Sequence, residues 1–183
     1  MDIKVLVPLA QDSEELEAVT IIDLLRRAGI KVTVAGENEI ITCSRGVKII
    51  PDVLLDTIDT DLSFDAIILP GGAQGTDNLM KHNILGKMLE HQKSEGKMIA
   101  AICASPTILS YFKVLDKGQK ITSHPSVRDM LANYAWVNER VVVDGIFVTS
   151  KGAGTAIEFA LYIIGELCGD DITDKVAESI VYR

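Results

Sequence analysis

Phe64-Asp65-Ala66-Ile67-Ile68-Leu69-Pro70-Gly71-Gly72 decides how the chain folds. Its apolar residues run on without alternating with polar ones, as in a strand covered on both faces, and Pro70-Gly71-Gly72 ends the run abruptly. This predicts a buried strand over 64–69. Helical material follows from about Asn78 to Glu95 and is closed by Gly96. A second unbroken run, Lys97 to Ile102, leads into Cys103, with a helix from about Pro106 to Phe112 behind it. Strand, helix, strand, helix in that order describes parallel strands joined by helical crossovers.

The same alternation extends both ways. Toward the N-terminus, Ile3 to Leu9 reads as another buried strand. Asp12 to Ala28 is a helix capped by Asp12 or Ser13 and stopped by Gly29, and Lys31 to Ala35 is a strand. Ile40 to Cys43 and Val47 to Ile50, around Ser44-Arg45-Gly46, read as a hairpin at a sheet edge. Toward the C-terminus come strands at Lys120 to Ser123, Arg140 to Val143 and Ile146 to Thr149. A helix from Thr155 to Leu167 and a short one from Ile172 complete the pattern. No repeat or linker divides the chain, so one α/β domain over residues 1–183 is expected, a mostly parallel sheet with helices on both faces. In such sheets ligands bind beyond the carboxyl ends of the strands, here Leu9–Asp12, Pro70–Gly72 and Cys103–Pro106.

A formal charge of −8 and the absence of a basic cluster exclude a nucleic-acid or anionic-membrane partner. The apolar start, Val5 to Ala10, is too short for a signal peptide or a membrane span. Three cysteines at unrelated spacings form neither a disulfide framework nor a zinc pattern, which fits a reducing cytoplasm. His82, His91 and His124 are scattered, so neither a metal nor an organic cofactor is expected.

The chemistry concentrates at Ala101-Ile102-Cys103-Ala104-Ser105-Pro106. A strand turning sharply into a helix crowds the residues two positions from the turn, so those must be small, as Ala101 and Ser105 are. The thiol then stands at a helix N-terminus, where free amides and the dipole favour the thiolate. A cysteine ending an apolar strand is more often inert and buried, so the hexapeptide needs support. Gly71-Gly72 supplies some, because paired glycines let backbone amides approach an anion, and the Gly72 and Ala104 amides together suit a developing oxyanion. Glu17 shares a helix face with Ile21, Leu24 and Ala28 and so turns inward, which at an active site means a partner or a raised pKa. Glu14 lies on nearly the same side, and periodicity does not choose between them. His124 follows a strand and is placed to orient or deprotonate a thiol, although a histidine before proline is commonly just a turn residue. His82 and His91 read as solvated, and Cys43 and Cys168 as structural thiols.

Taken in order, Ser13-Glu14-Glu15-Leu16-Glu17, Arg26 to Ala35, Thr42-Cys43-Ser44-Arg45, Leu69-Pro70-Gly71-Gly72, Ala100 to Ala104, His124-Pro125 and Gly152-Ala153-Gly154-Thr155 resemble the ThiJ/PfpI superfamily, in its parkinsonism-associated deglycase branch. The resemblance implies a flavodoxin-like three-layer sandwich and a homodimer. It implies Cys103 as nucleophile, Glu17 as a protonated partner, Gly72 and Ala104 as oxyanion donors and His124 as the neighbouring histidine. It also implies Arg27 and Arg45 at the subunit interface and an anion site. The expected activity is that of a glutathione-independent glyoxalase or a protein deglycase, acting without cofactor on a small carbonyl substrate or a glycated protein or amine, with a peroxide response. A redox-sensing chaperone and a cysteine peptidase or amidase are the alternatives. Two residues depart from the pattern: Ile50 stands where some relatives carry an interface cysteine, and Lys151 where an arginine is common.

Overall fold

The computed structural model describes residues 2–182; the expected domain also takes in Met1 and Arg183, which lie outside the described residues. In chain order the elements are β1 (Lys4–Leu9), α1 (Glu15–Arg27), β2 (Lys31–Gly36), β3 (Ile41–Thr42), β4 (Lys48–Ile49), β5 (Val53–Leu54) and β6 (Ala66–Leu69). Then follow α2 (Ala73–Leu79), α3 (Asn83–Ser94), β7 (Met98–Ile102), α4 (Pro106–Tyr111), β8 (Lys120–Ile121) and β9 (Ala135–Trp136). The chain continues through β10 (Val141–Asp144), β11 (Phe147–Ser150), α5 (Ala156–Cys168) and α6 (Asp170–Ser179).

Seven strands form the main sheet in the order β10-β11-β7-β6-β1-β2-β5, and every pairing is parallel except β10 with β11. The unbroken apolar runs have the expected cause. On β1, Val5, Val7 and Leu9 belong to a core shared with Ile21 and Leu25 of α1 and with Phe159 and Ile163 of α5. Leu6 points the other way, into a core with Leu85 and Leu89 of α3 and Ile108 of α4. Both faces are buried from Val5 to Leu9, so a polar residue there would be desolvated. The central strands β1, β6 and β7 end together at one rim of the sheet, with Leu69 in register with Ala101.

Several boundaries differ from the sequence reading. The helix expected from Asn78 to Glu95 is two helices, because Gly72 at φ 94° starts α2 at once and His82 takes an extended conformation between α2 and α3. Gly75 permits this start: a side chain there would stand 2.6 Å from Ser13 backbone. The cap of α1 is Glu14, whose carboxylate accepts the Glu17 amide, and neither Asp12 nor Ser13. Ser13 is buried and instead bonds the Ala10 amide, closing the turn after β1. The hairpin β3–β4 is a separate two-stranded ribbon, and the sheet edge is β5. β8 pairs with β9 in a second small ribbon outside the main sheet. No helix among the described residues is long and apolar enough to cross a membrane.

Candidate active site

Cys103 sits at the rim, one residue beyond β7, with φ 65°. A side chain other than glycine seldom takes this left-handed region, which is disfavoured by about 1–2 kcal/mol, so the neighbours must enforce it. They do so from four directions. The Cys103 amide donates to Ser150 O at 2.9 Å, and its carbonyl accepts the His124 amide at 2.8 Å. Ser105 is fully buried and its hydroxyl bonds Leu69 O and the Ile102 backbone, tying the turn to β6. Gly71 lies against the turn so closely that a methyl group there would stand 2.6 Å from Cys103 Cβ and 2.8 Å from Glu17 Oε2. The strained turn with small flanking residues that the sequence suggested is therefore present, and Gly71 is part of it.

The structure brings Glu17, Gly72, Ala104, His124 and Arg45 together around that thiol. Glu17 is completely buried; its Oε2 accepts the Gly71 amide at 2.8 Å and its Oε1 has no partner. Burial first of all, then the nearby Glu14 charge, raises its carboxyl to about 7, against the pull of the Gly71 amide and the Cys103 contact. Glu14, which periodicity could not separate from Glu17, caps the helix at the cavity wall. Gly72 and Ala104 line the same cavity as Cys103, and their backbone amides draw the thiol down.

The sequence reading placed the thiol at a helix N-terminus, where free amides and the dipole would favour the thiolate. α4 begins only at Pro106 and is six residues long, so what draws the thiol down is the two amides. Burial and a charged Glu17 oppose them and push it up to about 12. The two acids thus compete for one negative charge. Sulfur is the better place for it. Two backbone amides favour charge there and a cavity lies beside it, whereas a Glu17 carboxylate has one backbone amide, that of Gly71, and otherwise only the thiol proton. With the proton on Glu17, the carboxyl no longer repels the sulfur.

His124 lies near but is turned aside. Its Nδ1 is 2.7 Å from Ser126 Oγ and accepts the Ser126 amide at 3.2 Å, and no hydrogen bond joins the ring to the Cys103 sulfur among the described residues. Arg45 is placed by Glu15, whose carboxylate accepts the Arg45 amide and the Ser44 hydroxyl. Arg27 is elsewhere: it is exposed at the far end of α1 and pairs with Asp23. Cys103 opens onto two adjoining cavities of about 420 and 460 Å³. Asp12, Gln74 and Ser126 line the first, Arg140, Lys151 and Gly152 the second, and Arg45 both. Sequence reasoning missed Arg140, whose guanidinium reaches Glu158 and Gly154 O; an isolated arginine before a strand gives no signal. Cys43 is buried and pushed up to about 11, first by burial and then by Glu15, as suits a structural thiol. His82, expected to be solvated, is largely enclosed.

Comparison with known proteins gives the chain its family. The sequence model of the DJ-1/PfpI family matches residues 3–166. Protein dj-1beta of Drosophila melanogaster is 46% identical over 180 residues, covering 96% of this chain and 95% of that protein. Its crystal structure superposes with a TM-score of 0.95 at 44% identity, over 99% of this chain and 98% of the other. A Caenorhabditis elegans relative named glutathione-independent glyoxalase DJR-1.2 is 36% identical over 173 residues, 93% of this chain and 91% of its own. The flavodoxin-like sandwich is shared across the whole length, and with sequence and fold in agreement the chain belongs to the DJ-1/PfpI family.

Proposed function

We propose that the protein is a glutathione-independent glyoxalase that converts 2-oxoaldehydes such as methylglyoxal to hydroxyacids, with Cys103 as nucleophile. The observation that carries this is Glu17: a fully buried carboxyl, raised to about 7, with one oxygen unpartnered, against a thiol faced by two backbone amides. A proton-transfer group held near neutrality beside a nucleophile is what an intramolecular redox isomerisation needs.

Starting from thiolate and protonated Glu17, sulfur adds to the aldehyde carbon, and the new alkoxide faces the Gly72 and Ala104 amides. Glu17 gives its proton to that oxygen, forming a hemithioacetal and leaving a carboxylate. The carboxylate then takes the hydrogen of the same carbon as a proton, while the neighbouring ketone oxygen gains one from water. The resulting enediol is reprotonated by Glu17 on the second carbon as the first hydroxyl loses its proton to water, giving a 2-hydroxy thioester. One carbon has been oxidised and its neighbour reduced, so no external oxidant enters. Water cleaves the thioester, its proton passing to the Glu17 carboxylate as the thiolate leaves, which releases the hydroxyacid and restores the starting thiolate and protonated Glu17. Deglycation is the same attack on the carbonyl adduct of an amine or thiol. No hydrogen bond joins the His124 ring to the Cys103 sulfur among the described residues, which argues against a cysteine–histidine peptidase pair.

The test is direct measurement of lactate from methylglyoxal with purified wild type and Cys103→Ser. Lactate from wild type and none from the variant is the expected result. Equal production by both, or none by wild type, would overturn the assignment.

A further inference from the structure

His82 stands between two carboxylates, its side chain only 17% exposed, with Nε2 3.3 Å from Glu37 Oε2 and Nδ1 3.2 Å from Asp56 Oδ1. Glu37, the residue after β2, turns its other oxygen toward the site: Oε1 accepts the Gln11 amide at 2.7 Å. Gln11 is fixed at three further points. Its Oε1 accepts the Thr42 amide at 2.7 Å, its Nε2 donates to Ile40 O at 2.8 Å, and its carbonyl accepts Asn78 Nδ2 at 3.0 Å. The next residue, Asp12, has φ 63°, a conformation that relaxes unless its flanks are held. Its amide donates to Thr42 O, and its carbonyl backs directly onto Gly72, where an added Cβ would stand 2.6 Å from Asp12 O. Gly72 follows Gly71, which packs on Cys103, and lines the cavity beside the sulfur.

We propose that Glu37, held by His82, which Asp56 holds in turn, is a positioning residue that fixes the Gly72 amide beside Cys103 through the Gln11–Asp12 turn. Glu37, Gln11, Asn78 and His82 line neither cavity beside Cys103, so their influence on the sulfur is indirect, and its shortest route runs through Asp12 and Gly72. Lys81, the other charged group at this junction, is turned to Asn78 Oδ1 at 2.8 Å and leaves the two carboxylates to His82. Supports of this kind matter because an amide that stabilises an anion must be held in place before the charge appears. The inference rests on the glyoxalase reading for its consequence in turnover, but the thiol alone reports the geometry.

The experiment compares Glu37→Ala, Glu37→Gln and wild type by the rate of iodoacetamide alkylation at Cys103, read by peptide mass spectrometry, and by the pH midpoint of thiolate absorbance. Glu37→Ala should alkylate about 10-fold more slowly with a higher midpoint, and kcat should fall more than KM changes. Glu37→Gln keeps an oxygen for the Gln11 amide and should recover most of the rate. Asn78→Ala, which releases the other side of Gln11, should shift both readouts the same way and serves as the second variant if Glu37→Ala is insoluble. A Glu37→Ala protein with a lower melting temperature but wild-type alkylation and midpoint would overturn the proposal, leaving Glu37 a stabilising residue only. If wild type makes no lactate yet Glu37→Ala still slows alkylation, the positioning role stands and the reaction assignment falls.

Discussion

Replacing Glu17 with Gln separates the chemistry of that position from its packing. Glutamine fills the same buried space and offers an oxygen to the Gly71 amide, which Glu17 Oε2 accepts at 2.8 Å, so the fold should survive. What disappears is proton transfer, which contributes about 10²–10⁴-fold in comparable sites. A thousandfold loss of turnover, about 4 kcal/mol in the barrier, is the expected central value. Stability should move the other way. Burial raises the Glu17 carboxyl from 4.5 to about 7, so the folded state holds a proton that the unfolded state has released between those values. The wild type therefore keeps its full stability below 4.5 and loses part of it as pH climbs through about 7. At 1.36 kcal/mol for each pH unit this loss is about 3 kcal/mol, and Glu17→Gln escapes it. Urea denaturation at pH 4.5 and about pH 8, with lactate measured in parallel, should show the variant gaining on wild type only at the higher pH. Wild-type turnover in Glu17→Gln together with its loss in Glu14→Gln would refute the assignment. So would a stability difference that ignores pH.

Thiolate absorbance of wild type should rise with a midpoint below the ordinary value of about 8.5, because the first proton to leave the pair comes from sulfur; a midpoint at or above that value would put the charge on Glu17 instead. Sedimentation should show a dimer, since Leu16, Val19, Val47 and Ile50 expose apolar surface on α1 and the β3–β4 ribbon, and Val19→Glu should yield monomer. A monomeric wild type at micromolar concentration contradicts this. Graded peroxide should oxidise Cys103 before Cys43 or Cys168 and halt at the sulfinate, whose oxygens the Glu17 carboxyl and two amides can bind. Peptide mass mapping that finds Cys43 or Cys168 oxidised first, or Cys103 passing straight to sulfonate, removes the basis for that protected state.

The parallel sheet was legible because β1, β6 and β7 are buried on both faces and so must be apolar throughout. Strands of two residues such as β5 and β9 carry no periodicity, and went unseen. The cysteine turn was legible through the small residues beside it. Glu17 was narrowed to a pair but not resolved, since Glu14 shares its side of the helix and only the capping geometry turns one to the amide of its own helix and the other inward. The forces that oppose the thiolate went unseen because burial and a neighbouring charge are tertiary facts. The His82 enclosure was invisible for the same reason: its partners, Glu37 and Asp56, come from 45 and 26 residues away.

The site is assembled from segments that meet only when the sheet does. Glu17 bonds Gly71 across 54 residues, and Gly71 packs on Cys103 from the neighbouring strand. Contacts of such long sequence separation form late in folding, after the loop-closure entropy has been overcome. Until β1, β6 and β7 lie side by side, Cys103 is an ordinary thiol on a flexible chain, without donors and without a carboxyl neighbour. The newly made polypeptide is thus shielded from its own chemistry, and thiol reactivity serves as a clock for folding: in a refolding experiment, rapid alkylation of Cys103 should appear together with the final packed state and not with early helix formation.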